Sequence, residues 1–271
     1  MLRWLARILL IVVVSAYISL IVLALTSDSI IFQPQPSSYT DASLTTALAR
    51  FSPPGQLLHL SSENQRITAL YLPNPNARFT LLFSHGNAED LGETIFFLQT
   101  FYDAGFSVMA YDYRGYGTSS GKPSEQGVYE DVDAAYDYLT KQLHEPPSRI
   151  ISMGRSLGCG AAIHLAARRP VAGLIVEAPF LSAFRVLTRV RVLPWDKFNN
   201  ARDIRDVHVP VLIVHGRNDQ IVPFWHGEKL FEKANEPKTF LPIDGAGHND
   251  VVLVAGKKYV AAMQEFVAQL K

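Results

Sequence analysis

The sequence contains a single cysteine, Cys159, among its 271 residues. One cysteine cannot form an intrachain disulfide, so the chain must fold without that cross-link. No pair of cysteines or histidines has the spacing of a metal site, and the sequence therefore predicts neither a bound metal nor a cofactor. Cys159 follows a glycine-rich turn where a small apolar residue packs well, and we interpret it as a packing residue rather than a catalytic thiol.

The chain also lacks an excess of either charge. Its 25 Lys and Arg residues balance its 25 Asp and Glu residues, so the formal net charge is zero. A surface that binds nucleic acid normally carries an excess of positive charge, and we predict no nucleic-acid partner. Hydrophobic residues make up 48% of the sequence, which excludes extensive disorder, and 271 residues are enough for one large α/β domain.

One segment, residues 8–25, has no charge at all. As an α-helix it would be about 27 Å long, close to the hydrocarbon thickness of a bilayer. A cleaved signal peptide is the alternative, but its apolar part is normally shorter and ends at a small-residue cleavage site. We favour a single-pass membrane anchor in residues 1–28. Arg3 and Arg7 precede the segment and Arg50 is the next basic residue, so the positive-inside rule predicts a cytoplasmic N-terminus and a non-cytoplasmic domain.

The rest of the chain is predicted to form a tether and one domain. Residues 29–54 contain four prolines and suit a tether. Residues 55–271 begin with two short runs typical of an antiparallel hairpin, after which buried strands alternate with helical patterns. Such alternation predicts an α/β fold with a mostly parallel sheet covered on both faces. The eight predicted strands are 56–60, 66–72, 79–83, 107–111, 150–153, 173–176, 209–214 and 239–243.

The motif GRSLG, residues 154–158, joins one of these strands to a helical segment. Glycines on both sides of Ser156 permit a tight strand-to-helix turn that leaves no room for side chains at those positions. Such a turn presents its serine at the N-terminus of the helix, where developing negative charge is favoured. A glycine-rich turn without chemistry is the alternative, and the strand and helix around the motif favour Ser156 as a nucleophile.

A serine nucleophile requires a base, and the chain has eight histidines. His248 lies in the loop 245–250 after the last predicted strand, and its position satisfies the chain order serine, acid, histidine. We therefore predict His248 as the base. His85 and His215 each precede a glycine after a buried strand, where an imidazole normally braces the turn. The remaining histidines carry no loop or partner signature: His59, His144, His164, His208 and His226.

The acid that orients His248 is predicted to be Asp219. It follows a buried strand and lies between Ser156 and His248 in the chain, as the hydrolase order requires. Glu177, after the preceding strand, is the alternative. Asp244 and Asp250 are close to His248 in sequence, and we interpret both as solvated loop carboxylates. An ionised Asp219 would fix the imidazole tautomer and stabilise the imidazolium that forms as the serine attacks.

An oxyanion hole requires two N–H groups near the nucleophile. The backbone of Leu157, immediately after Ser156, is one predicted donor. Asn87, in the loop after the strand that ends at Ser84, is the other. An ordinary strand-to-helix turn at Asn87 is the alternative, and its coincidence with the other motifs favours the functional interpretation.

Taken together, these motifs resemble those of α/β-hydrolases. More narrowly, they are similar to the membrane-anchored α/β-hydrolase domain-containing branch, also called serine aminopeptidase-like, which includes protein depalmitoylases. The resemblance covers about residues 57–271 and implies an eight-stranded sheet with a short cap between strands 6 and 7. Cytoplasmic depalmitoylases of the branch have an N-terminal cysteine cluster, and this chain has an apolar segment there instead. The matching segments are HGNAEDLG (85–92), YDYRGYGTSSGKPSEQG (111–127), GRSLG (154–158), HGRNDQIVP (215–223) and GAGHND (245–250).

In that family the block 111–127 is structural, so no chemistry is expected of Asp112 or Arg114. The cap corresponds to about residues 180–208, which are short and apolar with interleaved arginines. They form either core-packing helices or a wall that accepts an acyl group. The apolar and basic residues concerned are Leu181, Phe184, Arg185, Val186, Leu187, Arg189, Val190, Arg191, Val192, Leu193 and Trp195.

The sequence thus predicts a membrane-anchored serine hydrolase of esters or thioesters with apolar acyl groups, acting through an acyl-enzyme. A peptidase with the same machinery is one alternative. A catalytically idle, membrane-anchored interaction module is another, although such a module has no physical need for the three catalytic residue types in this order. A small or lipid-like acyl substrate is the predicted partner, and the sequence leaves the oligomeric state open.

Overall fold

The structure, a computed structural model, describes residues 2–189 and 196–270. The chain divides into two compact units at Gln33 and Pro34. The first unit consists mainly of helix α1 (Leu2–Ile31). Within α1, residues Arg3–Leu23 have a mean hydropathy of 2.6 and are long and apolar enough to cross a membrane. The N-terminal apolar helix expected from the charge-free run is therefore present.

The second unit contains the strands and the other helices. Its strands are β1 (Gln56–Ser62), β2 (Gln65–Leu72), β3 (Thr80–Ser84), β4 (Ser107–Tyr111), β5 (Ile150–Arg155), β6 (Gly173–Glu177), β7 (Val211–Gly216) and β8 (Lys238–Ile243). Its helices are α2 (Asp41–Leu48), α3 (Leu91–Asp103), α4 (Glu125–Asp137), α5 (Gly158–Arg168), α6 (Ala183–Thr188), α7 (Asn200–Asp203), α8 (Trp225–Lys233), α9 (Val251–Ala255) and α10 (Lys257–Ala268).

The strands form one eight-stranded sheet in the order β1-β2-β4-β3-β5-β6-β7-β8. Strand β2 is antiparallel to both of its neighbours, whereas every other pair is parallel. The predicted α/β fold with a mostly parallel eight-stranded sheet is confirmed. Because β3 and β5 to β8 run in the same direction, the loops that follow them meet at one edge of the sheet.

Alternate residues of the central strand β5 face different helices, so both faces of the sheet are covered. On one face Ile151 and Met153 belong to a core cluster that includes Leu98 of α3 and Met263 of α10. On the other face the hydroxyl of Ser152 donates to a backbone oxygen of α5 at 3.0 Å. The five side chains of β3 and the five of β4 are all buried, as strands between two helical layers require.

The segment interpreted as a tether, 29–54, contributes to the core from Tyr39 onward. Thr40 caps helix α2, and its exchange of hydrogen bonds with Ser43 forms a capping box. Leu44 and Leu48, four residues apart on one helix face, are buried in the main core cluster. The proline content of the segment indicated a flexible chain, but this cap and the two spaced leucines allow it to fold onto the sheet.

The C-terminal helix differs from its prediction, whereas the cap region lies where it was expected. The predicted closing helix, 251–270, is divided into α9 and α10 at Gly256, whose φ is +50°. The cap region lies between β6 and β7 as expected and contains α6 and α7. Its residues 190–195, which include Val190, Arg191, Val192, Leu193 and Trp195, lie outside the described residues.

Candidate active site

The turn between β5 and α5 carries Ser156. Ser156 has a φ of +51°, a left-handed conformation that is unfavourable for a residue with a side chain. A Cβ atom at Gly154 would overlap the backbone of Gly158, and one at Gly158 would overlap the carbonyl oxygen of Ser84. The N–H of Ser156 donates to the carbonyl oxygen of Glu177 in β6 at 2.9 Å. These close approaches explain why the turn requires both glycines, and they fix Ser156 at the carboxyl edge of the sheet.

Three side chains from three loops form one chain of hydrogen bonds at this edge. Ser156 follows β5, Asp219 follows β7 and His248 follows β8. Nε2 of His248 lies 2.9 Å from Oγ of Ser156, and Nδ1 of His248 lies 2.7 Å from Oδ2 of Asp219. An imidazole in this position accepts the serine proton at Nε2 while Nδ1–H donates to the carboxylate. The structure thus brings together the residues that the sequence analysis assigns as nucleophile, base and acid.

The surroundings of Asp219 favour its ionised form. Its side chain is fully buried, and Oδ1 accepts hydrogen bonds from the backbone N–H groups of Ile221 at 2.9 Å and Val222 at 2.8 Å. Burial by itself raises the pKa of Asp219, but contacts with His215 and His248 and the backbone donors outweigh it and hold the pKa well below its usual range. Asp219 is therefore a carboxylate at neutral pH, as a partner for an imidazolium must be.

The loops that carry Asp219 and His248 are fastened to each other. The N–H of Asn218 donates to the carbonyl oxygen of Ala246 at 2.9 Å. A Cβ atom at Gly216 would overlap the same backbone, so only glycine fits where the two loops cross. This contact fixes the distance between the acid and the base before any substrate binds.

The two predicted oxyanion donors border the same turn. A Cβ atom at Gly86 would lie 3.7 Å from Cβ of Ser156, so the loop between β3 and α3 runs directly beside the serine. Asn87 follows in that loop, and its side-chain oxygen accepts a hydrogen bond from the hydroxyl of Tyr116 at 2.6 Å. Leu157 occupies the N-cap position of α5, and the first N–H groups of a helix have no acceptor within it. The loop that contains Asn87 and the start of α5 thus both border Ser156.

The alternative acids make other contacts. Glu177 is buried and accepts a hydrogen bond from the hydroxyl of Tyr259 at 2.7 Å. Burial raises the pKa of Glu177. Asp244 pairs with Arg217 at 2.7 Å near the surface, and Asp250 accepts a backbone hydrogen bond within its own loop at 2.7 Å. In the described structure, the carboxylate bonded to the imidazole of the candidate base belongs to Asp219.

The other histidines make contacts with groups other than Ser156, and Nε2 of His215 lies 3.3 Å from Oδ2 of Asp219. His164 stacks on Tyr129 with 3.7 Å between the ring centres, and the buried His226 stacks on Trp225 at 3.8 Å. His215 braces its turn by a contact of 2.9 Å with the carbonyl oxygen of Val222. The remaining three are exposed: His59 pairs with Asp41 at 3.1 Å, and His144 and His208 lie in loops.

His85 forms a second histidine–aspartate pair at the same edge. Its Nδ1 lies 2.7 Å from the carbonyl oxygen of Gly86, and its Nε2 lies 3.4 Å from Oδ1 of Asp112. Asp112 also accepts hydrogen bonds from the hydroxyl of Tyr39 at 2.5 Å and from the N–H of Leu91 at 3.0 Å. Both members are buried. The pair ties the loop after β3 to the loop after β4, which is the bracing role predicted for His85.

Arg155 is the residue at the site that the sequence analysis missed. Its guanidinium donates to Oε2 of Glu89 at 3.1 Å and to Oδ1 of Asn249 at 3.1 Å, and it lies 3.7 Å from Oε1 of Glu177. Glu89 in turn accepts the N–H of Gly86. One side chain therefore links the turn that carries Ser156 to the loop that contains Asn87 and to the loop that contains His248. An arginine at the carboxyl end of a buried strand, directly before the nucleophile, was the available signal.

The described part of the cap packs inward. Leu181 and Phe184 are buried, and Asp196 holds the start of α6 by accepting the N–H of Phe184 at 3.0 Å. These apolar side chains therefore belong to the core at least in part. Among the described residues, no group of three or more His, Cys, Asp and Glu side chains is arranged to hold a metal ion.

Comparison with known proteins shows the family to which this chain belongs. A family model described as serine aminopeptidase, S33, matches residues 75–199. Human alpha/beta hydrolase domain-containing protein 17B is 38% identical over 213 residues, which cover 77% of this chain and 73% of that protein. This chain belongs to the α/β-hydrolase domain-containing protein family. Another member of the family, aho-3 of Caenorhabditis elegans, is 35% identical over 256 residues, covering 87% of this chain and 76% of that protein.

Solved structures show the fold of the family in this chain. An esterase from Pyrococcus furiosus superposes with a TM-score of 0.71 and 16% identity, covering 88% of this α/β-hydrolase and 97% of the esterase. An esterase domain from Rhodothermus marinus has a TM-score of 0.61 and 21% identity, covering 79% and 99%. At these identities the likeness shows the α/β-hydrolase fold alone. The family resemblance predicted from the motifs is confirmed.

Proposed function

We propose that this α/β-hydrolase is a membrane-anchored serine hydrolase that cleaves carboxylic esters or thioesters with apolar acyl groups. The observation that supports this most directly is the unbroken chain of hydrogen bonds from Ser156 through His248 to Asp219, with distances of 2.9 and 2.7 Å. Backbone donors beside the serine and an ionised acid complete the requirements of acyl transfer.

In the first half-reaction, Oγ of Ser156 attacks the substrate carbonyl carbon while Nε2 of His248 accepts its proton. The N–H groups of Leu157 and Asn87 stabilise the oxyanion that forms; one such donor typically contributes about 10²- to 10³-fold in rate. The carboxylate of Asp219 stabilises the imidazolium. His248 then returns the proton to the leaving alcohol or thiol, the carbon–oxygen or carbon–sulfur bond breaks, and the acyl group remains on Ser156.

In the second half-reaction a water molecule replaces the leaving group. His248 accepts a proton from the water as its oxygen attacks the acyl carbon, and the same N–H groups hold the second oxyanion. When this intermediate collapses, the proton passes to Oγ of Ser156 and the carboxylic acid departs. Together the two half-reactions return the three side chains to their starting arrangement.

A fluorophosphonate probe tests the nucleophile. The probe forms a phosphorus–oxygen bond with an activated serine and releases fluoride, so we expect it to label the full-length chain but not Ser156→Ala. A Ser152→Ala variant is the matched control, because Ser152 lies on β5, directly before the turn that carries Ser156, and is hydrogen-bonded to α5; it should label like the parent. Labelling of Ser156→Ala at the parental rate, or no labelling of any variant, would refute the proposed mechanism.

Peptide hydrolysis is the second candidate, and the family model described as serine aminopeptidase favours it. The acyl-transfer machinery is the same for an amide, so the leaving group distinguishes the two. We expect p-nitrophenyl esters of increasing acyl length to be hydrolysed at least tenfold faster, by kcat/KM, than aminoacyl p-nitroanilides. The reverse ranking would assign the chain to the peptidases.

The proposed anchor is α1, with the N-terminus in the cytoplasm and the hydrolase unit on the other side of the membrane. The positively charged residues Arg3 and Arg7 before the apolar segment support this orientation. Protease added outside sealed cells should digest an epitope tag at the C-terminus and leave an N-terminal tag intact. Protection of the C-terminal tag would reverse the orientation without affecting the catalytic proposal.

A further inference from the structure

The loop between β3 and α3 carries one of the two proposed oxyanion donors, the N–H of Asn87. We name this loop, residues 85–90, the oxyanion loop. It contains a residue in the left-handed conformation, Ala88, whose φ is +60°. Such a conformation is unfavourable for a residue with a side chain and persists only where surrounding contacts hold it. The contacts of the oxyanion loop therefore determine where the N–H of Asn87 points.

Side chains hold both peptide groups that flank Gly86. The carbonyl oxygen of Gly86 and the N–H of Asn87 belong to one planar peptide group and point in opposite directions. Nδ1 of His85 lies 2.7 Å from that oxygen, so the imidazole holds the peptide group of the donor itself. The preceding peptide group is held at its oxygen by the hydroxyl of Tyr113, which donates to the carbonyl oxygen of His85 at 2.6 Å. It is held at its N–H by Glu89, whose Oε1 accepts from Gly86.

Glu89 also forms an ion pair with the turn that carries Ser156. Its Oε2 lies 3.1 Å from a guanidinium nitrogen of Arg155, the residue directly before Ser156. The side chains of Arg155 and Glu89 are only 14% and 16% exposed. Ion pairs that are largely removed from solvent are screened much less than surface pairs. One carboxylate therefore binds the oxyanion loop with one oxygen and the turn of the nucleophile with the other.

Arg155 has two further partners, and they hold other parts of the site. Its guanidinium lies 3.7 Å from Oε1 of Glu177, whose Oε2 accepts a hydrogen bond from the hydroxyl of Tyr259 at 2.7 Å. It also donates to Oδ1 of Asn249 at 3.1 Å. Of these three partners, Glu89 is the one whose carboxylate binds the oxyanion loop. The charge of Arg155 reaches that loop through Glu89.

From these contacts we infer that Glu89 is a positioning residue, whose carboxylate fixes the distance between Oγ of Ser156 and the N–H of Asn87. The inference rests on the proposed function for the acyl-transfer chemistry. Glu89 does not touch the reacting atoms; it acts through Gly86 and Arg155, which directly precede the donor and the nucleophile. Displacement of the oxyanion loop weakens the interaction with the oxyanion, which exists only in the transition state and the tetrahedral intermediates, and leaves the binding of the uncharged ester unchanged.

Steady-state kinetics of the full-length chain test the role of the charge. Glu89→Gln keeps the shape and one oxygen acceptor but loses the charge that pairs with Arg155. We expect kcat for a p-nitrophenyl ester to fall by about tenfold or more and KM to change by less than about threefold, because the lost interaction is made in the transition state. Equal kcat in Glu89→Gln and the parent overturns the inference.

Glu93→Gln is the matched control. Glu93 is exposed in the first turn of α3, four residues after Glu89, so the substitution makes the same change of charge close to the oxyanion loop. We expect it to retain the parental kcat and KM. An equal loss of kcat in Glu93→Gln would assign the effect to the net charge of this region and would overturn the role of the Glu89 carboxylate.

A trifluoromethyl ketone inhibitor separates positioning from folding. Oγ of Ser156 adds to its carbonyl carbon, the serine proton passes to His248, and the carbonyl oxygen becomes an oxyanion that the N–H groups of Leu157 and Asn87 bind. In Glu89→Gln the inhibition constant should rise by about the same factor by which kcat falls. A purely structural role lowers the folded fraction and leaves the inhibition constant of that fraction at the parental value, which would overturn the inference.

A double-variant cycle tests whether Glu89 and Arg155 act as one unit. Arg155→Met breaks the same ion pair from its other end. Because the second substitution then has less left to remove, the loss of kcat in the double variant should be smaller than the product of the two single losses by about threefold or more. Losses that multiply would show that the two residues act separately and would overturn the coupling.

Hydrogen exchange gives a readout that needs no catalysis. The backbone N–H groups of residues 86–90 should exchange about threefold faster or more in Glu89→Gln than in the parent and in Glu93→Gln, because the acceptor of the Gly86 N–H is less well held. Unchanged exchange in a parent that hydrolyses esters overturns this inference alone. Faster exchange in the variant of a parent that neither hydrolyses esters nor reacts with a fluorophosphonate refutes the proposed function, and with it the catalytic consequence of the contact.

Discussion

Two histidine–aspartate pairs lie at the same edge of the sheet, and they differ in what surrounds them. His248 and Asp219 are joined at 2.7 Å, and the other ring nitrogen of His248 faces Ser156 at 2.9 Å. His85 and Asp112 are 3.4 Å apart, and the other ring nitrogen of His85 lies 2.7 Å from a backbone oxygen. The third partner is therefore a side-chain hydroxyl in the first pair and a backbone carbonyl oxygen in the second.

The two pairs also differ in solvent exposure and in the pKa of the aspartate. The side chain of His248 is 8% exposed, whereas those of His85 and Asp112 are at most 1% exposed. Hydrogen bonds hold the pKa of Asp219 below its usual range, but burial raises the pKa of Asp112 more than its hydrogen bonds lower it. A histidine and an aspartate in contact therefore do not define a function. Two features distinguish the histidines: the third partner, which is a hydroxyl for His248 and a backbone oxygen for His85, and the exposure of the side chain to solvent.

The largest expected effect is a difference in catalytic activity between a variant of Asp219 and the same variant of Asp112. Asp219→Asn retains the shape of the acid but loses the charge that stabilises the imidazolium, and we expect kcat/KM for an ester to fall by about 10⁴-fold. Asp112→Asn should stay within about threefold, because Asp112 does not contact the reacting groups. Rates are measured on detergent-solubilised full-length chain and normalised to the fraction that a fluorophosphonate labels at saturation. Equal losses of kcat/KM in the two variants would contradict the different roles assigned to Asp219 and Asp112.

The next effect concerns stability. Asp112→Ala leaves His85, the hydroxyl of Tyr39 and the N–H of Leu91 buried without this partner. Unpartnered buried groups of this kind lower the free energy of unfolding by about 3 kcal/mol or more. A change of that size corresponds to a melting temperature lower by about 6–12 °C for a unit of this length. Ser156→Ala should shift it by no more than about 3 °C in either direction. If the melting temperature of Ser156→Ala fell as far as that of Asp112→Ala, the structural role assigned to Asp112 would be contradicted.

Arg155 links the loops on either side of the first pair, and its removal should weaken catalysis through position. For Arg155→Met we expect kcat to fall by about 10- to 100-fold with KM changed by less than about threefold, because displacement of the reacting groups by a fraction of an ångström suffices. Arg155→Lys keeps the positive charge but has only one donor nitrogen, and it should recover part of kcat. A purely structural role predicts instead that the folded fraction decreases and that its kcat is unaltered.

The smallest effect is the pH dependence of stability that the second pair contributes. Burial lowers the pKa of His85, but the hydrogen bond and charge of Asp112 outweigh it and raise the pKa above its usual value. A raised pKa of a base stabilises the folded chain fully below the unfolded pKa of about 6.5, and the contribution is lost as pH rises through the folded value. The melting temperature should therefore fall less between pH 6.5 and 9 in His85→Gln than in the parent or in Ser156→Ala. The same slope in all three would assign the titration to other groups.

Much of this architecture is predictable from local sequence. The strand β4, Ser107–Tyr111, was located to the residue because a short apolar run with turn residues on both sides has one natural register. The serine turn was identified because its glycines are required by close backbone contacts at Gly154 and Gly158. His248 and Asp219 were selected by chain order and by their position after strands, both of which are linear properties.

Other features depend on contacts between distant segments. Arg155 gains its significance from Glu89 and Asn249, which lie 66 and 94 residues away in the chain. The incorporation of residues 39–51 into the core depends on a sheet surface that can receive Leu44 and Leu48. The break between α9 and α10 occurs at Gly256, whose φ is +50°, and the hydrophobic periodicity of 251–270 does not indicate it.

The sequence by itself determined the fold, the order of the strands along the chain and the chemical types available at their carboxyl ends, because hydrophobic periodicity and glycine positions are local. Only the tertiary structure decided that His85 meets Asp112 and that Arg155 contacts both Glu89 and Asn249. These contacts join loops that are far apart in the chain, so they are set by the packing of the whole sheet rather than by any one stretch of sequence.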